Sequence, residues 1–564
     1  MKHLLLLPSA RFVPPELQTE FGRIASGMVP LGSRPALQHI AEPYVKAGYE
    51  VLVAVHEGAD HVSGFLERHP DLHAEAVDVG LTRSLGDTIF TAIQKLPALP
   101  EKLVINFADT FIDTPLAAAN AVGYASLPDT FRWTTFKIDE RKNIRDIREK
   151  DTDKEGPSQD WMIFIGAFSI GRIGDFVEEL RQQLADAHPH QLDPFYRALV
   201  AYFNRLPSGE KEFQRIDNWG DFGHLDTYYK TKKQFFLGRR FFNHICIDQD
   251  RGILRKTSAH AKKFIEEITW YLKLPKGLQH VAPRVFDYNL HVGNPFVEME
   301  FYGYPALNDL YLFGDCSIST WNQILIALGR LLQDFEEYSF VPSSPDVLVR
   351  AMREMYEGKT RERLQNLPSD PAFAGFCTDT VVINGVSCAG LPSVLNRLSE
   401  VAENISLYNR TRFSLIHGDL CLSNILFDQR NTILRLIDPR GKFGEIELYG
   451  DRRYDLAKLA HSFEGDYDFL VNGLFDHAWE QGEYRFAPHL NSRQREVKAL
   501  FSAWLQRGWP KDLATVRFIE CLLFLSMVPL HADRFDSQEA FLAQGLLLFQ
   551  KTLDGIDARP RVIR

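Results

Sequence analysis

The hydrophobic pattern divides the chain into two regimes. Through residues 1–230 short apolar runs alternate with amphipathic stretches. Residues 4–7, 50–55, 103–107 and 162–170 predict buried strands, and residues 35–47 and 85–95 predict helices between them. This βαβ rhythm predicts a mostly parallel sheet with its functional loops at the carboxyl ends of the strands. The rhythm breaks near KTKKQFFLGRR (residues 230–240). Beyond it, patterns at 243–248 and 252–258 predict a hairpin across Asp250, Arg251 and Gly252, and residues 260–275 a helix. Residues 318–365 and 390–409 predict amphipathic core helices, 366–389 a loop region, and 497–505, 516–525 and 537–553 closing helices.

At 564 residues the chain is too long for one core, so domains at about 1–235 and 236–564 are expected. The opening MKHLLLLPSA resembles a signal peptide only briefly. Its apolar core is too short, no span of membrane length is expected, and it reads as a first buried strand. A net charge of −10 without any basic tract argues against nucleic-acid binding. Six scattered cysteines with no CxxC pair predict neither a zinc site nor a disulfide framework, and so a cytoplasmic protein. Oligomeric state leaves no signal.

The densest chemistry lies in residues 415–462, LIHGDLCLSNILFDQRNTILRLIDPRGKFGEIELYGDRRYDLAKLAHS. An apolar run delivers His417, Gly418 and Asp419 to a turn. Asn424 follows, and a hydrophobic hairpin ends on Asp438. Phosphoryl transfer needs this set: a carboxylate to take the acceptor proton, and an amide and a carboxylate to hold magnesium. The stretch resembles the aminoglycoside phosphotransferase and choline kinase family, with its HGDxxxxN, IDxxx and GDxxYDLA pattern. The resemblance implies a two-lobed α+β protein-kinase-like domain, small lobe about 240–305 and large lobe about 306–564, using ATP and Mg2+. Asp419 would be the catalytic base, Asn424 and Asp438 the metal ligands, and Asp455 with His417 the supports of the loop. In the small lobe ILRKTS would place Lys256 over the phosphates, paired with Glu267. Glu266 and Arg255 are the rival residues. VEMEFYGYPALNDL would be the hinge, with adenine on the backbone of Glu298 to Phe301. After Asp438 stands Arg440, where cationic-substrate kinases often carry an acidic residue; it suits a neutral or anionic acceptor, unless it pairs internally with Glu445 or Glu447.

The N-terminal half carries a second set. LVINFADTFID brings Asp109 to the end of a strand. WTTFKIDERKNIRDIREK predicts a hairpin ending in Glu149 and Lys150. FIGAFSI contains Gly166, and WGDFG places Asp221 in a turn before a helix. With PLGSRPAL at 30–37, these pieces resemble the sugar-phosphate nucleotidyltransferases, which share a Rossmann-like, GT-A-like sheet with many glycosyltransferases. The resemblance implies that Asp109 and Asp221 hold magnesium, that Glu149 and Lys150 contact a sugar phosphate, and that Gly166 lets the sugar approach the backbone. The chain departs from that family at its first loop. LLLPSARFVPPELQTEFGRIASGMVP replaces the glycine-rich LAAGxGTR, and Ser26 stands where a lysine is usual. Arg11, Arg23 or Arg34 could supply the missing charge, or sit on a solvated surface. Residues 151–159 read as a surface loop.

The two resemblances together imply a bifunctional enzyme. It would phosphorylate a sugar, polyol or amino-alcohol and activate the product with a second NTP, CTP or UTP among the candidates, for a surface polysaccharide. Its partners would be the small alcohol or sugar and its phosphate, with neither nucleic acid nor membrane. Two alternatives stay open: a kinase with a non-catalytic N-terminal binding domain, and a glycosyltransferase–kinase fusion.

Overall fold

The first strand, His3–Ser9, pairs in parallel with Glu50–Val55 on one side and Lys102–Asn106 on the other in the computed structural model. The structure describes residues 2–32, 34–127, 132–149, 161–186, 192–236, 243–248 and 251–557; Lys150 and the predicted loop at 151–159 lie outside them. The chain divides into two compact units, Met1–Leu237 with Phe313–Asp315, and Gly238–Leu312 with Cys316–Arg564.

In the first unit Ala74–Asp78 adds a fourth parallel strand beyond Glu50–Val55, and Met162–Ile170 runs antiparallel beside Lys102–Asn106. Ala121–Ala125, Thr135–Ile138 and Ile144–Arg148 extend the antiparallel side, and Glu212–Arg215 pairs in parallel with Ala121–Ala125, so the sheet is mixed. Leu4 through Leu7 and Leu103 through Ile105 are fully buried, as strands covered on both faces require. Helices Leu85–Gln94, Ile173–Ala185 and Pro194–Arg205 pack on one another and share the sheet's core. One carboxylate organises two of them. Asp193 caps its own helix through the N–H of Phe195 at 2.9 Å and accepts the N–H groups of Leu85 and Gly86 at 3.0 and 3.1 Å. The unit is a Rossmann-like α/β fold, with the predicted strands and helices in place.

The second unit begins with a four-stranded antiparallel sheet ordered Asn243–Asp248, Ile253–Ser258, Phe296–Glu300, Val285–Asn289, against which helix Ala261–Lys273 packs. A helical lobe follows, built around Arg452–Phe463, a helix buried almost throughout, with Leu513–Met527 against it. This is the two-lobed, kinase-like α+β architecture.

Two expectations need correction. Residues 366–389 are not merely loop: Thr380–Ile383 and Val386–Ala389 form a hairpin that joins a second hairpin, Phe475–Glu480 with Glu483–Pro488, in one sheet. A segment of membrane-spanning length does occur, Leu513–His531, and 72% of it is buried inside the protein. None of the six cysteines, all among the described residues, is joined in a disulfide.

Candidate active sites

In the second unit the strand Phe413–Leu415 is held by Tyr449–Gly450 and leads directly into the HGD turn. The Trp270 indole N–H donates to the Ile416 carbonyl at 2.8 Å, and its ring stands edge-on to His417. His417 is wholly buried with Nε2 3.0 Å from the Ile437 carbonyl, and burial lowers its pKa to about 4, so the ring is neutral. Gly418 has φ +77°, which a side chain would strain. Asp455 reaches back under this turn. Its two oxygens accept the N–H groups of His417 at 2.7 Å and Gly418 at 2.8 Å.

Asp419, whose side chain is 42% exposed, lies at the mouth of the turn with Lys458 Nζ 2.8 Å from Oδ1. Burial would raise its pKa, but Lys458, and after it Arg440, outweigh burial and hold it well below the usual carboxylate range. Asn424 donates its amide to the Asp419 carbonyl at 2.9 Å and to Oδ2 at 3.3 Å, which turns its own Oδ1 away from both bonds. The hairpin Ile425–Asp428 with Ile433–Leu436 then carries the chain to Asp438, where φ is +56° and the backbone N–H donates to the Tyr271 hydroxyl at 2.9 Å.

Lys256 completes this centre. It points inward from Ile253–Ser258, 4% exposed, with Nζ 2.8 Å from Glu267 and 2.7 Å from Asp438. The rivals lie elsewhere: Arg255 pairs with Glu298 at 2.7 Å and Glu266 with Lys442 at 3.4 Å. At the expected hinge, Glu298 sits in a central strand between Arg255 and Asp287, and the Phe301 N–H donates to the Gly252 carbonyl at 2.9 Å. Arg440 pairs with neither Glu445 nor Glu447; it donates to the Tyr454 hydroxyl at 2.8 Å. Lys458 escaped the sequence reading, although it stands one helical turn after Asp455 and so on the same face.

In the first unit Trp219–Asp221 pairs with Thr110–Ile112, which sets Asp221 beside Asp109. Asp221 is held by the Trp133 indole at 3.0 Å and the Gly223 N–H at 2.7 Å. Burial, and after it Asp109, raises its pKa to about 6. A Cβ on Gly223 would lie 2.7 Å from Asp109 Oδ2 and 3.3 Å from Asp221 Oδ1, so both oxygens border one small space. Gly166 has φ +87°, and a Cβ there would meet the Phe107 ring at 2.7 Å, so close packing by itself demands glycine. Glu149 is exposed just after Ile144–Arg148. The three arginines are drawn elsewhere. Arg11 donates to the Thr82 carbonyl, Arg34 pairs with Glu42 at 2.7 Å, and Arg23 lies over the Phe12 ring.

Among the described residues no group of three or more His, Cys, Asp or Glu could cage a metal. Each site instead offers two oxygen-bearing side chains, Asn424 with Asp438 and Asp109 with Asp221. This donor set fits magnesium, which binds through one or two protein oxygens with phosphates and water supplying the rest.

No protein-family model matches the chain, and no curated protein matches it in sequence. Among solved structures, HddC from Yersinia pseudotuberculosis, complexed with GMP-PN, is similar over 42% of this chain and 100% of its own, at 16% identity and a TM-score of 0.31. The CTP:phosphocholine cytidylyltransferase from Streptococcus pneumoniae is similar over 41% and 98%, at 10% identity and a TM-score of 0.33. The ADP-bound aminoglycoside phosphotransferase APH(2″)-Ib is similar over 57% and 98%, at 13% identity and a TM-score of 0.31. The nucleotidyltransferase neighbours fall on the N-terminal part of the chain, and the phosphotransferases cover about 57% of it.

Proposed function

We propose that the protein is a bifunctional small-molecule kinase and nucleotidyltransferase, acting on a sugar, polyol or amino-alcohol in the cytoplasm and supplying a surface polysaccharide with an activated unit. The observation that carries the kinase half is the meeting of Lys256, Glu267 and Asp438 beside a loop that presents Asp419 and Asn424.

In that half Lys256, oriented by Glu267, binds the ATP phosphates, and Asn424 and Asp438 hold magnesium, whose charge offsets that of the phosphates. Asp419 orients the acceptor hydroxyl. As the acceptor oxygen bonds to the γ-phosphorus, the bond to the β–γ bridging oxygen breaks, ADP leaves, and the proton passes to Asp419. The new P–O bond acidifies the acceptor hydroxyl, which lets a carboxylate such as Asp419 take its proton. Lys458 holds the carboxylate in place meanwhile.

In the N-terminal half Asp109 and Asp221 hold magnesium. An oxygen of the phosphate ester bonds to the α-phosphorus of an NTP, and pyrophosphate leaves with the α–β bridging oxygen. The second reading is a kinase whose N-terminal unit only binds. It is favoured by the engagement of Arg11, Arg23 and Arg34 and by the helix Pro15–Phe21 standing where a glycine-rich loop is usual.

A screen of small alcohols and sugars for ATP-dependent phosphorylation, with Asp419→Asn as control, tests the kinase; turnover that survives the substitution overturns the assignment. Pyrophosphate release across the four NTPs, each with candidate phosphate esters, tests the other half. If none supports release, and Asp109→Ala leaves phosphorylation intact, the binding-module reading replaces it. Transfer from a nucleotide-sugar without pyrophosphate would instead make that half a glycosyltransferase.

A further inference from the structure

Beside Asp419 lies a cluster of cations that phosphoryl transfer itself does not use. Arg440 packs on the HGD turn: its backbone N–H donates to the His417 carbonyl at 2.9 Å, and a Cβ on Gly418 would lie 2.8 Å from the Arg440 Cβ. Its guanidinium donates to the Tyr454 hydroxyl at 2.8 Å, and Lys359 donates to the same hydroxyl at 3.4 Å. Arg363 follows Lys359 by one turn in the helix Lys359–Leu364, on the same face, and is fixed by the Ser526 carbonyl at 2.9 Å.

Among the described residues, none of Lys359, Arg363 and Arg440 has a carboxylate at ion-pair distance. The nearby acids are engaged or turned to water. Asp419 is held by Lys458 at 2.8 Å, Glu266 by Lys442 at 3.4 Å, and Glu362 is exposed. Like charges gathered in a partly buried place destabilise one another unless an anion joins them. Burial first, and then Arg440, Arg363 and Lys458, push the Lys359 pKa well below that of an ordinary lysine.

We propose that the phosphoryl acceptor carries an anionic group, a carboxylate or a phosphate, which docks between Lys359, Arg363 and Arg440 while its hydroxyl faces Asp419. The inference rests on the kinase reading and narrows its substrate class to hydroxy acids, sugar acids and phosphorylated sugars or polyols. It sets aside cationic amino-alcohols and aminoglycosides, which the same three side chains would repel.

Matched acceptors test it on the full-length protein with ATP and magnesium: glycerol, glycerate, glycerol phosphate and ethanolamine, then hexoses against hexuronates and hexose phosphates. One anionic arm is expected to exceed its neutral counterpart in kcat/KM by about tenfold or more, and the arm that responds tells carboxylate from phosphate. Lys359→Gln and Arg363→Gln should each raise KM for that acceptor about tenfold with kcat little changed, and Lys359→Arg should restore it. Independently of transfer, inorganic phosphate titrated calorimetrically against the ADP–magnesium-saturated protein should bind the wild type more tightly than either Gln variant. Equal phosphate binding by wild type and variants overturns the proposal whether or not transfer is seen. Transfer that Asp419→Asn abolishes, but that prefers neutral or cationic acceptors, overturns this inference alone and leaves the kinase standing.

Discussion

Nζ of Lys256 lies 2.7 Å from Oδ1 of Asp438, so the cation expected on the ATP phosphates is joined to the carboxylate expected on the metal. Glu267 shares the same ammonium at 2.8 Å, and burial raises its pKa to about 7 even though Lys256 opposes that shift. Lys256→Met would remove the ammonium that Glu267 and Asp438 share. We expect kcat for phosphoryl transfer to fall on the order of 10²–10³-fold. Breaking this buried arrangement should also cost about 3 kcal/mol of stability. ADP release and thermal unfolding measure the two effects, and a variant with ordinary turnover would exclude Lys256 from the site.

Asp455 bears on the loop from below, through the N–H groups of His417 and Gly418. Asp455→Ala leaves both donors buried and unpaired, at about 1–3 kcal/mol for each. Asp455→Asn keeps one acceptor but sets an amide N–H against the other donor, so it should fall between wild type and Ala in melting temperature. Phosphoryl transfer should decline in the same order, because Asp419 follows directly on the loop that Asp455 supports. Unchanged melting temperatures in both variants would contradict the role.

Strands that are apolar without interruption were the most legible. Glu50–Val55 and Met162–Ile170 have the bounds their hydrophobic runs predict, and the hairpin before Asp438 falls where expected. The second hairpin sheet was missed, although Asn384-Gly385 and Gln481-Gly482 both carried a turn signal. Both residues of each pair have positive φ, as tight hairpins require. The parallel pairing of Val382 with Glu483 joins segments distant in sequence, which no local window reveals. Site residues followed the same division. Asp419, Asn424 and Asp438 are fixed by motif spacing, whereas Lys359 and Arg363 look like ordinary solvated helix residues until Tyr454 is folded beside them. Arg11 was ambiguous because its partner, Thr82, comes from elsewhere in the fold.

Gly223 offers a clean test of the first unit. A methyl there would occupy the space between Asp109 Oδ2 and Asp221 Oδ1. Gly223→Ala should therefore weaken manganese binding at this pair and lower pyrophosphate release by about 10²-fold or more, the scale for losing a preorganised electrostatic contact. Phosphorylation by the second unit should be unaffected. Retained manganese binding in Gly223→Ala would show that the two carboxylates do not share an ion.

Asp468 makes a prediction about pH. Its carboxyl is buried, Oδ2 has no hydrogen-bond partner among the described residues, and burial raises its pKa to about 7 against the opposing effect of Ser462. In the unfolded chain it titrates near 4. Between these two values the native state binds the extra proton, so this group's contribution to stability falls as pH rises and is lost in full above pH 7. Asp468→Asn removes that dependence while keeping the shape. The melting temperature of the variant minus that of the wild type should therefore climb from pH 5 to about pH 7 and level off by pH 8, with each unit of pKa difference worth about 1.4 kcal/mol. A difference that stays flat across this range would mean that Asp468 is ionised in the folded protein and finds a counter-charge there, a part for which Lys458 is the candidate.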